Sequence, residues 1–324
     1  MKKIALITGV TGQDGAYLSK FLIDRGYKVY GMVRRIVNRS FSNLEYLGVE
    51  NEVNLIDGDL TDEASLINAV KRIHPHEIYN LGAQSFVATS WDQATVTCEI
   101  NAMGTLKLLN AVRTCCPTAK FYQASTSEMY GNVNIGGYQD EETPFNPRSP
   151  YAISKLFAYW ITVNYRESNK MFCANGILFN HESPIRGIEF VTRKITDGVA
   201  RIKLGLAKEI RLGNLDSQRD WGFAGDYVEA MWLMLQQEEP DDFLISTGKT
   251  HSIRDLLDLA FKYVGIDDWS SYIKIDPQFK RPAELYTLKG KNSKARKVLG
   301  WEPKTSFKEL VEMMVEADLK RLSK

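Results

Sequence analysis

Cysteine and histidine are scarce in this chain, with four of each among 324 residues. The cysteines, at 98, 115, 116 and 173, form no CxxC pair and lack the dense spacing of a disulfide framework. That excludes a small disulfide-stapled secreted domain and sets the expected compartment as the reducing cytoplasm. Long apolar runs are missing as well: no window approaches the roughly 18–20 apolar residues that span a bilayer, so no membrane partner is expected. The opening MKKIALITG starts like a signal peptide, but its apolar run stops after four residues and glycines follow. Charge of one sign is absent too. The 41 basic and 40 acidic residues leave a net charge of +1, which argues against a nucleic-acid wrapper. No internal repeat or low-complexity tract interrupts the chain. What is there, 44% apolar residues with 23 glycines and 10 prolines, suits a folded α/β protein of one or two domains.

The first half alternates apolar runs with helical periodicity. Residues 4–7 lead into TGVTGQDG and then into apolar positions Tyr17, Leu18, Phe21 and Leu22, which predicts strand, tight turn and helix. Further strands are predicted at 27–33, 54–57, 77–81 and 120–124, with helices at 62–72 and 94–115. Ser149 and Pro150 predict the N-cap and first position of a helix reaching about 168, with a strand at 172–178 after it. This alternation predicts an α/β fold with a Rossmann-type doubly wound parallel sheet. Beyond 180 the rhythm changes. A helix at 190–204, a short strand at 209–212, an apolar helix at 226–235, a strand at 242–246 returning to the large sheet and an amphipathic helix at 306–321 are predicted. The expected division is a dinucleotide-binding domain over 1–180, rejoined by 222–250, and a smaller, discontinuous α/β substrate-binding domain from 181–221 and 251–324.

Gly9, Gly12 and Gly15 follow the first strand directly, spaced GxxGxxG rather than the commoner GxGxxG. Glycine there lets backbone N–H groups approach a pyrophosphate at the helix entrance. The second strand ends in Val33-Arg34-Arg35, with Arg39 beyond and no acid nearby. An unphosphorylated ribose wants a carboxylate at that place and a 2′-phosphate wants cations, so NADP is expected rather than NAD. Asp59 ends the third strand near the expected adenine, and Leu81, Gly82, Ala83, Gln84 and Ser85 end the fourth, where a cofactor crosses the sheet edge. Tyr151 and Lys155 lie one turn apart on one helix face. An ammonium beside a phenol stabilises the phenolate and lowers its pKa, which makes a proton shuttle. Thr126, Ser127 and Glu128 leave the fifth strand at its ligand-facing end, offering a hydroxyl and a carboxylate for carbonyl formation and proton abstraction. Each feature alone has a plainer structural reading: a turn, a solvated basic face, or hydroxyls that satisfy loop backbone. Their succession along one βα pattern favours the chemistry. No His/Cys/Asp cluster surrounds His181 in sequence, so no metal is expected.

These motifs resemble the extended short-chain dehydrogenase/reductases, and within them the GDP-mannose 4,6-dehydratase family. TGVTGQDGAYL at 8–18, YNLGAQSFV at 79–87, FYQASTSEMYG at 121–131 and PRSPYAISK at 147–155 carry the resemblance. So do ILFNHESPIRG at 177–187, FVTRKI at 190–195, the stretch LGNLDSQRDWGFAGDYVEAMWLML at 212–235, RPAE at 281–284 and LGW at 299–301. The resemblance implies an enzyme, a lyase, that turns GDP-mannose into GDP-4-keto-6-deoxy-mannose and water with tightly bound NADP regenerated. In family terms Tyr151 accepts the C4 hydroxyl proton beside Lys155, Glu128 removes the C5 proton, and Thr126 and Glu128 assist loss of water from C6. The implied cofactor contacts are Gly9, Val10, Thr11, Gly12, Gln13, Asp14, Gly15, Arg34, Arg35, Asp59, Leu60, residues Leu81 through Ser85, Tyr151, Lys155, His181 and Arg186. Substrate contacts are implied for Ser85, Thr126, Ser127, Glu128, Tyr151, Asn180, Val191, Lys194, Asn214, Arg219, Arg281 and Glu284. Family members form dimers or tetramers, and the arginine-bearing loop after Val33 reaches toward a neighbouring subunit, so a homotetramer is the expectation. Tyr159, Trp160 and Tyr165, with the 94–115 helix, could supply a dimer face or core. Three alternatives stay open: a dehydratase for another nucleotide-hexose, a dehydratase that also reduces its 4-keto product, and a non-catalytic NADP-binding protein. The segment after RPAE departs from the family's acidic, leucine-rich pattern, and Val96 stands where a cofactor-side tyrosine is sometimes found.

Overall fold

A computed structural model describes residues 2–34, 41–133, 136–279 and 287–323. Seven parallel strands form its main sheet: β1 (Ile4–Thr8), β2 (Lys28–Val33), β3 (Asn54–Asp57), β4 (Glu77–Asn80), β5 (Lys120–Thr126), β6 (Cys173–Leu178) and the strand Asp242–Ile245. Their order is Asp242–Ile245, β6, β5, β4, β1, β2, β3. The chain reverses direction across the sheet between β1 and β4, which leaves a crevice at their carboxyl ends. Asp242–Ile245 pairs with β6, so the chain returns to the large sheet after a long excursion.

Both faces of the sheet are covered, and strand alternation explains how. Ala5, Ile7, Val29, Val33, Tyr79 and Tyr122 face one core, packed under the helices Gln13–Asp24 and Ala224–Gln236. Leu6, Met32, Ile78 and Phe121 face the other, under Glu63–Ile73 and Gly104–Cys115. Burial on both sides is why β1 opens as a continuous apolar run, Ile4 to Ile7. Ser149 caps the helix Pro150–Asn169, its Oγ accepting from Ala152 N at 3.1 Å, with Pro150 in the first turn as expected.

The predicted 94–115 helix is not uniform. It runs as Ala94–Cys98, a π-helical turn Glu99–Met103, and Gly104–Cys115. The wider turn brings Asn101 inward, where its amide accepts from Gln84 N (2.9 Å) and donates to Gln84 O (3.0 Å) and Ser154 Oγ (3.1 Å). Gly104 follows because a Cβ there would sit 2.8 Å from Leu60 Cβ.

The smaller region packs Ile195, Val199, Leu256, Leu257, Val311 and Val315 from the helices Val191–Lys203, Ile253–Tyr263 and Phe307–Leu322. Its strands are two or three residues long, too short for a sequence period: Asn180–Glu182 pairs with Trp221–Phe223, and Gln218–Arg219 lies between His251–Ser252 and Thr287–Leu288. Tyr159 and Tyr165 belong to the interior, bonded to Asp242 and Asn110, whereas Trp160 is 55% exposed. All four cysteines are free. Among the described residues no helix is long and apolar enough to cross a membrane.

Candidate active site

The ends of β1, β4, β5 and β6 open into a cleft of about 880 Å³, closed on its far side by the smaller region. The β1 turn forms its floor. Gly9 has φ +69°, and a Cβ there would lie 2.8 Å from Gly82 N; one on Gly15 would lie 2.3 Å from Gly9 O. The backbone therefore fills the space a side chain would need. Gly12 is the N-cap of Gln13–Asp24 and offers no capping side chain, so the first helical N–H groups are left for an anion. This cradle fits the pyrophosphate of a dinucleotide.

Across the cleft floor stand the groups from β5 and the Pro150–Asn169 helix. Thr126 Oγ1 accepts from Glu128 N at 3.3 Å and lies near enough to the Tyr151 hydroxyl to favour its phenolate. Glu128, the second residue of the short helix Ser127–Tyr130, is close enough for its charge to act on that phenol. Lys155 Nζ donates to Ala124 O at 2.8 Å. Burial pushes the Tyr151 phenol up to about 12; the Thr126 hydroxyl opposes this and the Glu128 charge adds to it. Burial also brings the Lys155 ammonium down to about 8, against the charge of Asp14. The phenol is thus raised rather than lowered as expected, because both groups lie out of water and desolvation opposes either charge.

The third wall begins at Asn180. His181 Nδ1 lies 2.7 Å from Phe179 O and its Nε2 lies 2.8 Å from Asp14 Oδ2. Both neighbours are acceptors, so an imidazolium that donates from both nitrogens satisfies them. Burial opposes that charge, yet Asp14 and the Phe179 carbonyl hold the imidazole above its ordinary value. Burial likewise works against the Asp14 anion, but the His181 charge and hydrogen bond and the Gln13 amide bring it down to about 2. Gln13 completes the joint, donating to His181 O (3.1 Å) and accepting from Ser183 Oγ (2.8 Å). Arg186 Nε lies 3.0 Å from Glu182 Oε2, and its guanidinium sits 3.5 Å over the Phe190 ring.

A sequence profile described as GDP-mannose 4,6 dehydratase matches residues 6–314. The chain belongs to this family. The protein named "GDP-mannose 4,6 dehydratase 2" from Arabidopsis thaliana is 51% identical over 328 residues, covering 98% of this chain and 87% of that protein. The human "GDP-mannose 4,6 dehydratase" is 48% identical over 342 residues, covering 98% and 92%. Among solved structures, the UDP-glucose 4-epimerase of Thermus thermophilus, in complex with NAD, superposes with a TM-score of 0.84 at 26% identity, over 97% and 98% of the two chains. DesIV, a dTDP-glucose 4,6-dehydratase from Streptomyces venezuelae, shares the fold with a TM-score of 0.87 at 22% identity, over 99% and 98%. As a GDP-mannose 4,6-dehydratase family member, the chain is an NAD(P)-dependent sugar-nucleotide dehydratase.

Most of the residues that the family resemblance singles out meet in this cleft. Gly9, Thr11, Gly12, Gln13, Asp14, Gly15, Leu81, Ala83, Ser85, Thr126, Ser127, Glu128, Tyr151 and Lys155 line it, as do Asn180, His181, Arg186, Val191, Lys194, Asn214 and Arg219. Others lie off its wall. Val10 is wholly buried, its side chain under Gly31. Gly82 and Gln84 sit just behind the β4 end, Gly82 N donating to Thr8 Oγ1 at 2.9 Å. Asp59 accepts from Thr61 N and Oγ1, both at 2.9 Å, and Leu60 packs on Gly104. Arg34 is exposed just past β2. Arg35, Arg281 and Glu284 lie outside the described residues. The cleft also holds Phe86, Trp91, Glu189, Phe190 and Trp221, which the sequence reading passed over. Phe86 and Phe190 meet edge to face at 5.6 Å across the cleft mouth. Their signal was adjacency: each borders a singled-out motif residue, Ser85 or Val191. Among the described residues no group of three or more His, Cys, Asp and Glu could hold a metal ion.

Proposed function

We propose that this chain is a GDP-mannose 4,6-dehydratase that uses NADP. What carries the reading is the meeting of Thr126, Glu128 and Tyr151 on one cleft wall beside the glycine cradle. A simple reductase needs the Tyr–Lys pair; an added carboxylate suits abstraction at carbon. The dinucleotide, when bound, supplies a reversible two-electron acceptor for C4 whose electrons are returned at C6. Tyr151 takes the C4 hydroxyl proton, and its high phenol value makes it a strong base once ionised. Lys155, as an ammonium, favours that ionisation. Glu128 removes the C5 proton, acidified by the neighbouring ketone, and with Thr126 assists departure of the C6 hydroxyl as water. Asn180, Lys194, Asn214 and Arg219, together with Arg281 and Glu284, hold the GDP moiety in this reading. Arg34 and Arg35 select the 2′-phosphate. The proposed division of labour follows the chain: 1–180 and 222–250 hold the dinucleotide, and 181–221 with 251–324 hold the sugar nucleotide.

A homo-oligomer, a tetramer in our reading, working in the cytoplasm completes the proposal. Its support is an apolar stripe at Ile153, Phe157 and Trp160, exposed by 54%, 41% and 55%, beside Val96 at 50%. Residues four and three apart form one helix face, and such a face suits an isologous dimer contact. Trp160→Glu should lower the mass seen in sedimentation; an unchanged assembly would remove this face from the interface.

The deciding experiment incubates purified protein with GDP-mannose and trace NADP+, with dTDP-glucose and UDP-glucose in parallel. Loss of one water from GDP-mannose alone, with a 4-keto product by mass spectrometry, is expected. Dehydration of another sugar nucleotide only, or of none, would sink the assignment.

A further inference from the structure

The FVTRK segment gives Val191 and Lys194 to the cleft, but the arginine between them is not on its wall. Arg193 is 8% exposed and spends its whole guanidinium elsewhere. Its Nε donates to Asp318 at 2.8 Å, its Nη2 pairs with the same carboxylate at 2.7 Å, and its Nη1 donates to two backbone carbonyls, Pro184 O and Arg186 O, each at 3.0 Å. Asp318, fully buried on the Phe307–Leu322 helix, also accepts from Thr196 Oγ1 at 2.7 Å and pairs with Arg321. Arg321 in turn donates to Pro184 O at 3.0 Å. Two helices far apart in sequence thus grip the main chain of the turn at 183–187. That turn carries Arg186, whose charge reaches both Asp14 and Tyr151 and lowers each.

We propose that Arg193, anchored by Asp318, is a positioning residue that fixes the 183–187 turn so that Arg186 faces the bound dinucleotide. The inference rests on the cofactor reading above and adds to it a part of the cofactor site supplied by the smaller region. Only a planar fork can hold a carboxylate with one edge and two carbonyls with the other, so lysine is a poor replacement despite its charge. Arg193 acts through Arg186, not by contact with the cofactor.

The test is a double-substitution cycle on dinucleotide affinity, read by NADPH fluorescence on the full chain without sugar nucleotide. Arg193→Lys should weaken NADPH binding by about tenfold to a hundredfold. Arg186→Ala should weaken it at least as much, and the double variant should fall within about twofold of Arg186→Ala alone. GDP affinity by calorimetry should change by less than about threefold in Arg193→Lys, a selectivity that general loosening of the fold would not give. Additive losses, unchanged NADPH affinity, or equal losses for NADPH and GDP overturn the positioning role. If Arg193→Lys does not fold by circular dichroism, Asp318→Asn takes its place in the same cycle under the same criteria. A wild-type chain that binds neither NADPH nor NADH fails before any substitution, and that result overturns the cofactor reading together with this one.

Discussion

The two walls of the cleft are held in place by different means. On the sheet side, groups stand at strand ends and main-chain geometry fixes them: Gly9 pressed on Gly82, Lys155 tied to Ala124 O, Thr126 capping its own turn. On the smaller side, loops are held by charged side chains from distant elements. Arg193 meets Asp318 across 125 residues, and Asp220 accepts from Thr247 N, Thr247 Oγ1 and Gly248 N, at 2.8, 2.7 and 2.8 Å. The first wall is rigid because backbone contact leaves no slack. The second is a set of polar struts, each satisfied, around loops with little secondary structure of their own. In the proposed reading, chemistry sits on the wall that cannot give, and recognition sits largely on the wall that is braced.

Substitutions separate the two walls, the largest effect coming from the sheet side. Glu128→Gln should lower kcat for dehydration by about a hundredfold to ten-thousandfold while NADPH affinity holds, measured by steady-state kinetics and fluorescence titration. Full turnover would remove Glu128 as the base. Gly9→Ala forces a Cβ into the β4 turn at a positive φ. A loss of about 2–4 kcal/mol in urea unfolding and failure to bind dinucleotide are expected; near-native affinity would show that the sheet wall has slack after all. On the braced wall, Asp220→Ala leaves two backbone N–H groups and a hydroxyl without their carboxylate. It should lose about 2 kcal/mol of stability and raise KM for the sugar nucleotide through its neighbour Arg219, with dinucleotide affinity unchanged.

The smallest effect concerns the joint between the walls, Asp14 with His181. His181 is held above its ordinary 6.5, so its stabilisation is full below that pH and is lost as pH rises through the raised folded value. Asp14 moves the other way, from 3.8 to about 2, so its share is full above 3.8 and disappears as pH falls through about 2. The pair therefore stabilises from about pH 4 to beyond 6.5. His181→Gln should lower the unfolding free energy most in that window, by about 1 kcal/mol in urea titrations, and the difference from wild type should shrink at alkaline pH. A pH-independent difference would place the histidine's role in packing on Tyr227 rather than in charge.

This contrast also explains what could be read from the amino-acid order. The alternating pattern, the glycine turn, the Ser149–Pro150 helix start and the return of Asp242–Ile245 to the sheet are local or periodic, and each appears in the structure. That Thr126, Glu128, Tyr151 and Lys155 line one cleft was legible for the same reason: strand ends and helix faces have fixed directions. The π turn at Glu99–Met103 was not, since it answers a bond between Asn101 and the β4 loop. Nor was the high phenol value of Tyr151, because burial depends on what packs over the site.

The order of residues, then, determined the sheet, the crevice end of its strands and the side chains placed there, because repeat and turn chemistry act between near neighbours. Tertiary structure alone decided which cations brace loops and which face the cleft. Arg193 and Lys194 are adjacent in sequence, but only the fold places Arg193 on Asp318 and Lys194 on the cleft wall. A helix turns its successive residues through about 100°, and what Arg193 then meets includes a carboxylate 125 residues away.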